Sequence, residues 1–333
     1  DSQKVLSRLS ECLNIPVASS LKGKGSIDEN SPLSLGSLGV TSSGYALQYI
    51  MNEADLVILL GAGFNERTSY VWNENLLKNK TVIQVDQNPH QLEKVFKATL
   101  AIHSDIDVFL QSLYDTCQSN VLEKKQVTDI QLFKERIEST AIAEGKTIFN
   151  KQFDLVKHFY SLLEQKFSDG IVIFDDNIIF AQNFYHVSLK DRFFPNTGVS
   201  SLGHAIPAAI GAGFKADKPI FAIIGDGGFQ MCAMEIMTAV NYGISLNIVL
   251  YNNQTMGLIR KNQHQQYDQR FLDCDFINPD YASLAKSFGI QYIKIETEQE
   301  CSLAFDQVNF SQGINLIEIK IDKDAYPNYS SNR

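Results

Sequence analysis

The sequence predicts an α/β chain built from two open, mainly parallel sheets flanked by helices, and three observations carry that prediction. Its 333 residues suit two domains at about 100–200 residues each. The runs Leu56–Leu60 and Ile220–Ile224 are apolar on both faces, as parallel strands covered on both sides should be. Both end at a glycine, and helical segments separate such runs. That places turns and ligand-binding groups at the carboxyl ends of the strands.

Taken in order, the chain opens on a helix at Lys4–Leu13 and a short strand at Pro16–Ala18. Gly23-Lys24-Gly25 and the Gly/Ser-rich stretch Pro32–Gly39 read as loop. A helix at Tyr45–Asn52 leads through Ala54-Asp55 into the strand Leu56–Leu60, which ends at Gly61-Ala62-Gly63. A second strand, Thr81–Val85, stops at Asp86. From Tyr114 to Asn150 the chain is polar, strandless and rich in Lys, Glu, Gln and Thr, with a charged helix at Ile130–Ile142. This stretch reads as a connector.

A second α/β region begins with the helix Phe153–Lys166 and the strand Ile171–Phe174. It continues with strand Ile220–Ile224, helix Phe229–Tyr242 and strand Ser245–Tyr251. Helix Tyr281–Phe288, strand Gln291–Ile295, helix Glu300–Asn309 and strand Asn315–Ile321 follow. The expected division is a Rossmann-like domain over 1–115, a linker over 116–150 and a second α/β domain over 151–333.

Composition excludes several classes. With 44% hydrophobic and 20% charged residues the chain is neither disordered nor collagen-like nor a coiled coil. No apolar run approaches the ~20 residues of a membrane span, and no signal pattern opens the chain. The net charge of −9, without a dense basic run, offers nucleic acid no electrostatic partner. Five dispersed cysteines without a CxxC pair point to thiols in a reducing cytoplasm, not to zinc or a disulfide framework. The chain starts at Asp1, without Met and directly on a helix, so it is expected to be a fragment that enters its first domain past the opening strand.

The chemistry concentrates between Pro219 and Gly257. A strand ends in Gly225-Asp226-Gly227-Gly228, a helix follows, and the next strand ends in Asn252-Asn253. One right-handed βαβ crossover lays such strands parallel and brings Asp226 and Asn253 to the same sheet end. A carboxylate and an amide oxygen together suit Mg²⁺, which takes one or two carboxylates plus phosphate oxygens. The glycines permit close backbone approach to a diphosphate, and the following helix offers amides to anionic oxygens. A Gly-Asp-Gly alone is an ordinary capped turn; the spaced pair is what raises it above that.

Gly225-Asp226-Gly227 followed at this distance by Asn252-Asn253 resembles the cofactor signature of thiamine diphosphate enzymes, in particular the acetolactate synthase and 2-keto acid decarboxylase group. The resemblance extends to Gly198–Gly213 upstream and to Asn278-Pro279-Asp280-Tyr281, Leu284-Ala285 and Phe288-Gly289 downstream. Gly23-Lys24-Gly25, Ala54-Asp55 and Val85-Asp86 with Pro89 resemble the group's central domain.

The resemblance implies that Asp226, the Asn253 side chain and the Thr255 carbonyl ligate Mg²⁺. It implies that Gly225, Gly227, Gly228, Met256 and Gly257 line the diphosphate. Leu202 falls where the family keeps an apolar wedge under the cofactor, with ordinary core packing as the alternative. Asn177, in a poorly kept local pattern, is a further candidate for the diphosphate. The implied activity is decarboxylation of a 2-keto acid with transfer or release of the remaining unit, the cofactor carrying the hard step. In the family a glutamate from an N-terminal pyrimidine-binding domain completes the site, so no catalytic residue is assigned here. The implied intact enzyme is a homodimer or homotetramer.

Departures bound this reading. Acetohydroxyacid synthases carry a Trp where Asn262 stands here, and Arg260–Gln266 is polar, with a solvated helix face as the plain alternative. Glu235 reads as a structural hydrogen-bonder, and His204 and His264 as surface or capping residues. Gly61-Ala62-Gly63 fails the dinucleotide spacing, although family members that bind FAD or ADP here leave a nucleotide open. A non-catalytic regulatory or scaffold homologue is the competing reading. A nicotinamide-dependent dehydrogenase is the third.

Overall fold

The computed structural model describes residues 2–119 and 129–329. The chain divides into two compact units: residues 1–147 with 187–189 and 329–333, and residues 148–186 with 190–328. Both are α/β with parallel sheets flanked by helices, as the alternating pattern predicts. All five cysteines are free thiols. Among the described residues no helix is long and apolar enough to cross a membrane.

The first unit runs α1 (Ser2–Leu13), β1 (Val17–Ser20), β2 (Ser34–Leu38), α2 (Tyr45–Asn52), β3 (Leu56–Leu60), β4 (Thr81–Asp86), β5 (Leu100–His103), α3 (Ile106–Ser119) and α4 (Ile130–Ala143). Strands β3, β4 and β5 form a three-stranded parallel sheet in that order, and β1 pairs with β2 in a separate parallel pair. Leu59, Leu76, Leu77 and Val82 pack with Leu47, Ile50 and Met51 of α2. Leu9 of α1 packs with Leu110 and Cys117 of α3. Helix α4 belongs to this unit: Ile130 clusters with Leu35 and Ala46, and Phe133 meets the Tyr49 ring edge-on. Part of the expected connector thus forms a packed helix, while its residues 120–128 lie outside the described residues.

Two expectations are corrected here, and one strand is added. Ser34–Leu38, read as loop from its Ser/Gly content, is a strand because backbone pairing with β1 does not require bulky side chains. Strand β5 (Leu100-Ala101-Ile102-His103), absent from the expected elements, pairs with β4 although most of it is exposed. Strand β3, expected to be covered on both faces, is an edge strand: Leu59 is buried but Leu56 is 43% exposed.

The second unit carries one six-stranded parallel sheet. Its elements are α5 (Asp154–Lys166), β6 (Val172–Asp175), α6 (Ile179–Phe184), β7 (Arg192–Pro195), α7 (Ala205–Gly213), β8 (Ile220–Gly225), α8 (Asp226–Cys232), α9 (Ile236–Tyr242), β9 (Leu246–Asn252), α10 (Gly257–Gln266), α11 (Tyr281–Phe288), β10 (Gln291–Ile295), α12 (Glu298–Gln307) and β11 (Ile314–Lys320). The strand order is β10-β11-β9-β8-β6-β7. Strands β8 and β9 sit at the centre, and every residue of β9 is buried.

Alternation along these strands divides the core. Ile220, Ala222 and Ile224 with Leu246, Ile248 and Leu250 face a cluster from α7, α8, α9 and α11. On the other face aromatic rings interlock: Phe221 meets Phe167 and Phe310, and Phe159 meets Phe305. The helix expected to run unbroken from Phe229 to Tyr242 is interrupted by a 3₁₀ turn at Ala233–Glu235, which separates α8 from α9.

Candidate functional site

Strands β8 and β9 lie side by side in parallel, with Gly225 opposite Tyr251 at their carboxyl ends. The residues that follow each strand are therefore neighbours despite their separation in sequence. Gly225 keeps an extended backbone (φ −86°, ψ 164°) and hands the chain into α8, so that Asp226 begins the helix. Asp226 is 2% exposed. Its Oδ2 accepts from the Asn253 amide (3.1 Å), the Gln254 amide (2.6 Å) and Asn278 Nδ2 (2.9 Å). Its Oδ1 accepts from the Gly227 amide at 2.9 Å. Burial raises the Asp226 pKa above the ordinary carboxylate value, and hydrogen bonds from Asn278, Gln254, Gly227 and Asn253 oppose that rise. All four donors are neutral, so any negative charge on Asp226 is not neutralised by them.

Beyond β9 the chain turns sharply, with Gln254 in the left-handed region (φ 56°). The Asn253 Oδ1 accepts only a long bond from the Thr255 amide, 3.4 Å. Its Nδ2 lies so close to Gly257 that a Cβ there would sit 2.8 Å away. Thr255 is buried, its hydroxyl donating to the Cys274 carbonyl at 2.9 Å, and it forms an isolated antiparallel bridge with Asp275. The Met256 amide donates to the Cys274 carbonyl (2.8 Å) and the Phe276 amide to the Gln254 carbonyl (3.2 Å). These bonds close an excursion that contains α10 and return the chain to Asn278.

The glycines are demanded by close approach. A Cβ on Gly227 would lie 2.6 Å from Met256 Sδ, and one on Gly228 would collide with Asp176 Oδ2. Asp176, buried at the end of β6, accepts from the amides of Gly203 (2.8 Å), His204 (2.8 Å) and Ala205 (3.2 Å) where α7 begins. Asn177 follows it in the left-handed region (φ 66°), half-buried. Leu202 is half-buried in the turn just before Gly203.

The structure thus gathers Gly225, Asp226, Gly227, Gly228, Asn253, Thr255, Met256 and Gly257 directly. Asn177 and Leu202 join them through Asp176: Asn177 follows it in sequence, and Leu202 precedes Gly203, whose amide donates to it. Sequence reasoning missed Asp176 and Asn278 as members of the site. Asn278 stands in the Asn-Pro-Asp segment, but nothing in its spacing says that it returns to Asp226. His204 and Glu235 are exposed, Glu235 accepting from the Thr238 hydroxyl at 3.5 Å, and His264 packs against the Tyr326 ring.

Helix α10 is not simply a solvated face. Asn262 is half-buried on it, while Arg260 and Lys261 are buried. Arg260 holds Asp275 and Asp324 (2.8 Å each) and lies over the Phe271 ring. Burial pushes the Lys261 pKa down to about 8.

The side-chain oxygens that these two strand ends offer a cation are the buried Asp226 carboxylate and the Asn253 amide oxygen. Among the described residues no group of three or more His, Cys, Asp or Glu side chains is arranged to hold a metal. A cation at this place would therefore be held by one carboxylate and neutral oxygens. That is a hard-ion donor set, of the sort Mg²⁺ completes with phosphate oxygens.

Comparison with known proteins identifies the family. Residues 177–319 match the model described as "Thiamine pyrophosphate enzyme, C-terminal TPP binding domain", and residues 1–113 match "Thiamine pyrophosphate enzyme, central domain". The acetolactate synthase large subunit of Cyanidium caldarium is 30% identical over 339 residues, covering 98% of this chain and 56% of that protein. The mitochondrial acetolactate synthase of Schizosaccharomyces pombe is 29% identical over 345 residues, 97% of this chain and 50% of its own length. The large subunit from Lactococcus lactis is 29% identical over 322 residues, 95% of this chain and 54% of its own. The chain spans about half the length of the curated relatives it matches.

Proposed function

Because the chain belongs to the thiamine pyrophosphate enzymes, with their central and C-terminal domains, we propose that its second unit holds the diphosphate and Mg²⁺ of thiamine diphosphate for an acetolactate synthase-like reaction on a 2-keto acid. One observation carries the proposal. The buried Asp226 lies at the end of a central strand, hydrogen-bonded to the backbone beside Asn253, with Gly227, Gly228 and Gly257 packed too closely for any side chain.

In this reading Asp226, the Asn253 side-chain oxygen and the Thr255 carbonyl hold Mg²⁺. Gly225, Gly227, Gly228, Met256 and Gly257 line the diphosphate, with Asn177 beside it and Leu202 beneath the cofactor. When bound, thiamine diphosphate supplies the nucleophilic carbon and the electron sink for losing CO₂ from the keto acid. The chain's own part is to orient it. Burial of Asp226 lowers the local dielectric and strengthens its hold on a cation, and the strand ends fix the ligands rigidly. A pyrimidine-binding domain outside these 333 residues would supply the acid–base half, in a homodimer or homotetramer.

Calorimetric titration of the chain with thiamine diphosphate tests this. Saturable binding is expected with Mg²⁺ and not with EDTA, and Asp226→Ala should abolish it. Binding indifferent to both the chelator and the substitution would overturn the proposal.

A further inference from the structure

Asn278 returns from the far side of the excursion with both amide hydrogens and its side-chain oxygen engaged in hydrogen bonds. Nδ2 donates to Asp226 Oδ2 and to Asn252 Oδ1, both at 2.9 Å, while Oδ1 accepts from Gln230 Nε2 at 2.7 Å. Turning the amide over would set its oxygen against a carboxylate and a carbonyl, so one orientation is favoured.

Asn252 is fixed in the same way. Its Nδ2 donates to Glu318 Oε1 at 2.5 Å, which leaves its oxygen to face Asn278. Glu318 is buried on β11, and its other oxygen accepts from the Tyr292 hydroxyl at 2.5 Å. The directions therefore run one way: Glu318 accepts, so Asn252 presents its oxygen to Asn278, and Asn278 donates to Asp226.

We propose that Asn278 is a positioning residue for the metal site, its amide aimed by the buried pair Asn252 and Glu318 so as to hold one oxygen of Asp226 and leave the other for a cation. This rests on the reading of Asp226 as a Mg²⁺ ligand. The count of donors supports it. Oδ2 takes three hydrogen bonds and is saturated, whereas Oδ1 takes one from Gly227 and keeps a lone pair. Partners behind a metal ligand orient it and set its basicity, and losing one typically weakens metal binding by about 10–100-fold.

The test is a calorimetric titration of Mg²⁺ into the whole chain at fixed, saturating thiamine diphosphate, with circular dichroism to verify folding. Asp226→Ala comes first: if Mg²⁺ binds it as it binds the parent chain, the metal reading itself falls and this inference with it. If Asp226→Ala abolishes binding, Asn278→Leu should weaken Mg²⁺ by about 10–100-fold; affinity within about twofold of the parent overturns the positioning role alone.

Gln230 gives a second measurement that does not disturb the core, because it is exposed. Gln230→Lys keeps a donor toward Asn278 Oδ1. Gln230→Glu replaces it with an acceptor and favours the inverted amide. Positioning predicts weaker Mg²⁺ binding in Gln230→Glu than in Gln230→Lys. Charge alone predicts the reverse order, since a nearby carboxylate attracts the cation, and that order would overturn the proposal.

Discussion

The main sheet of each unit presents a glycine and an aspartate at its strand ends, and the two differ in what they gather. In the first unit, Gly61 follows β3 and Asp86 closes β4. In the second, Gly225 closes β8 and Asp226 follows it. Asp86 is buried too, at 7% exposure, but its carboxylate accepts from the amide of Asn88, two residues on. Gly61 is left-handed (φ 60°) and donates to the Val85 carbonyl, with Ile106 filling the space where a side chain would go. That end closes on itself as an ordinary turn. Asp226 draws its donors from positions 1, 27, 28 and 52 residues away. A glycine or a buried aspartate at a strand end can thus serve only to turn the chain. What marks a site is a buried carboxylate on which distant segments converge.

The comparison is broken most directly by exchanging the two carboxylates' fates. Asp226→Ala should weaken Mg²⁺-dependent thiamine diphosphate binding by more than the ~100-fold upper range for loss of an outer partner. Asp86→Ala should leave it within about twofold. Calorimetry on both variants decides it, and equal losses would mean that the two strand ends are equivalent.

A smaller effect is expected from Gly228→Ala. The new methyl group meets the buried Asp176 carboxylate, so the variant should lose about 1–3 kcal/mol of stability in a urea melt.

Lys261 sharpens the contrast further, because the second unit buries a cation near its site. With the folded pKa pushed down to about 8 by burial, against an ordinary 10.5, the unfolded chain binds more protons between those values. Stability attributable to this group therefore rises with pH across that window, and the full penalty for a buried charge is present below about 8. Lys261→Met should be more stable than the parent at pH 7, by a margin on the order of 2 kcal/mol, and that margin should shrink by pH 10. A constant margin would show that packing, not charge, is responsible.

The smallest change is at Gly211, inside α7, where a Cβ meets nothing within 4 Å. Gly211→Ala should raise stability by about 0.5–1 kcal/mol through helix propensity. Its contrast with Gly228→Ala separates glycines that the site requires from one that it does not.

Much of this was legible in the sequence because it is local or periodic. The apolar runs located the central strands, and a βαβ unit has only one common handedness, so the spacing from Asp226 to Asn253 already put both at one sheet end. The short strands were harder to see. Ser34–Leu38 looks like loop by composition, and Arg192–Pro195 is an edge strand ending in proline. Burial of Arg260 and Lys261 was hidden because an amphipathic reading of polar residues assumes solvent, whereas the terminal nitrogens of Arg260 pair with Asp275 and Asp324, 15 and 64 residues on. Asn278 and Glu318 were out of reach for the same reason: their partners are set by tertiary closure, which no residue pattern announces.

The bridge between Thr255 and Asp275 has a consequence for how such a chain can diverge. The excursion leaves and re-enters the fold through two adjacent backbone segments, and its ends are tied by backbone bonds, the Thr255 hydroxyl and the Arg260–Asp275 ion pair. Lengthening a loop whose ends are already joined costs little, roughly 0.6 kcal/mol for each doubling. The exposed turn at Tyr267–Arg270 is therefore a place where residues can be inserted or exchanged while Asp226, Asn253 and Asn278 keep their positions. The scaffold separates a part that must stay constant from a part free to vary, and new specificity can be tried on the second without disturbing the first.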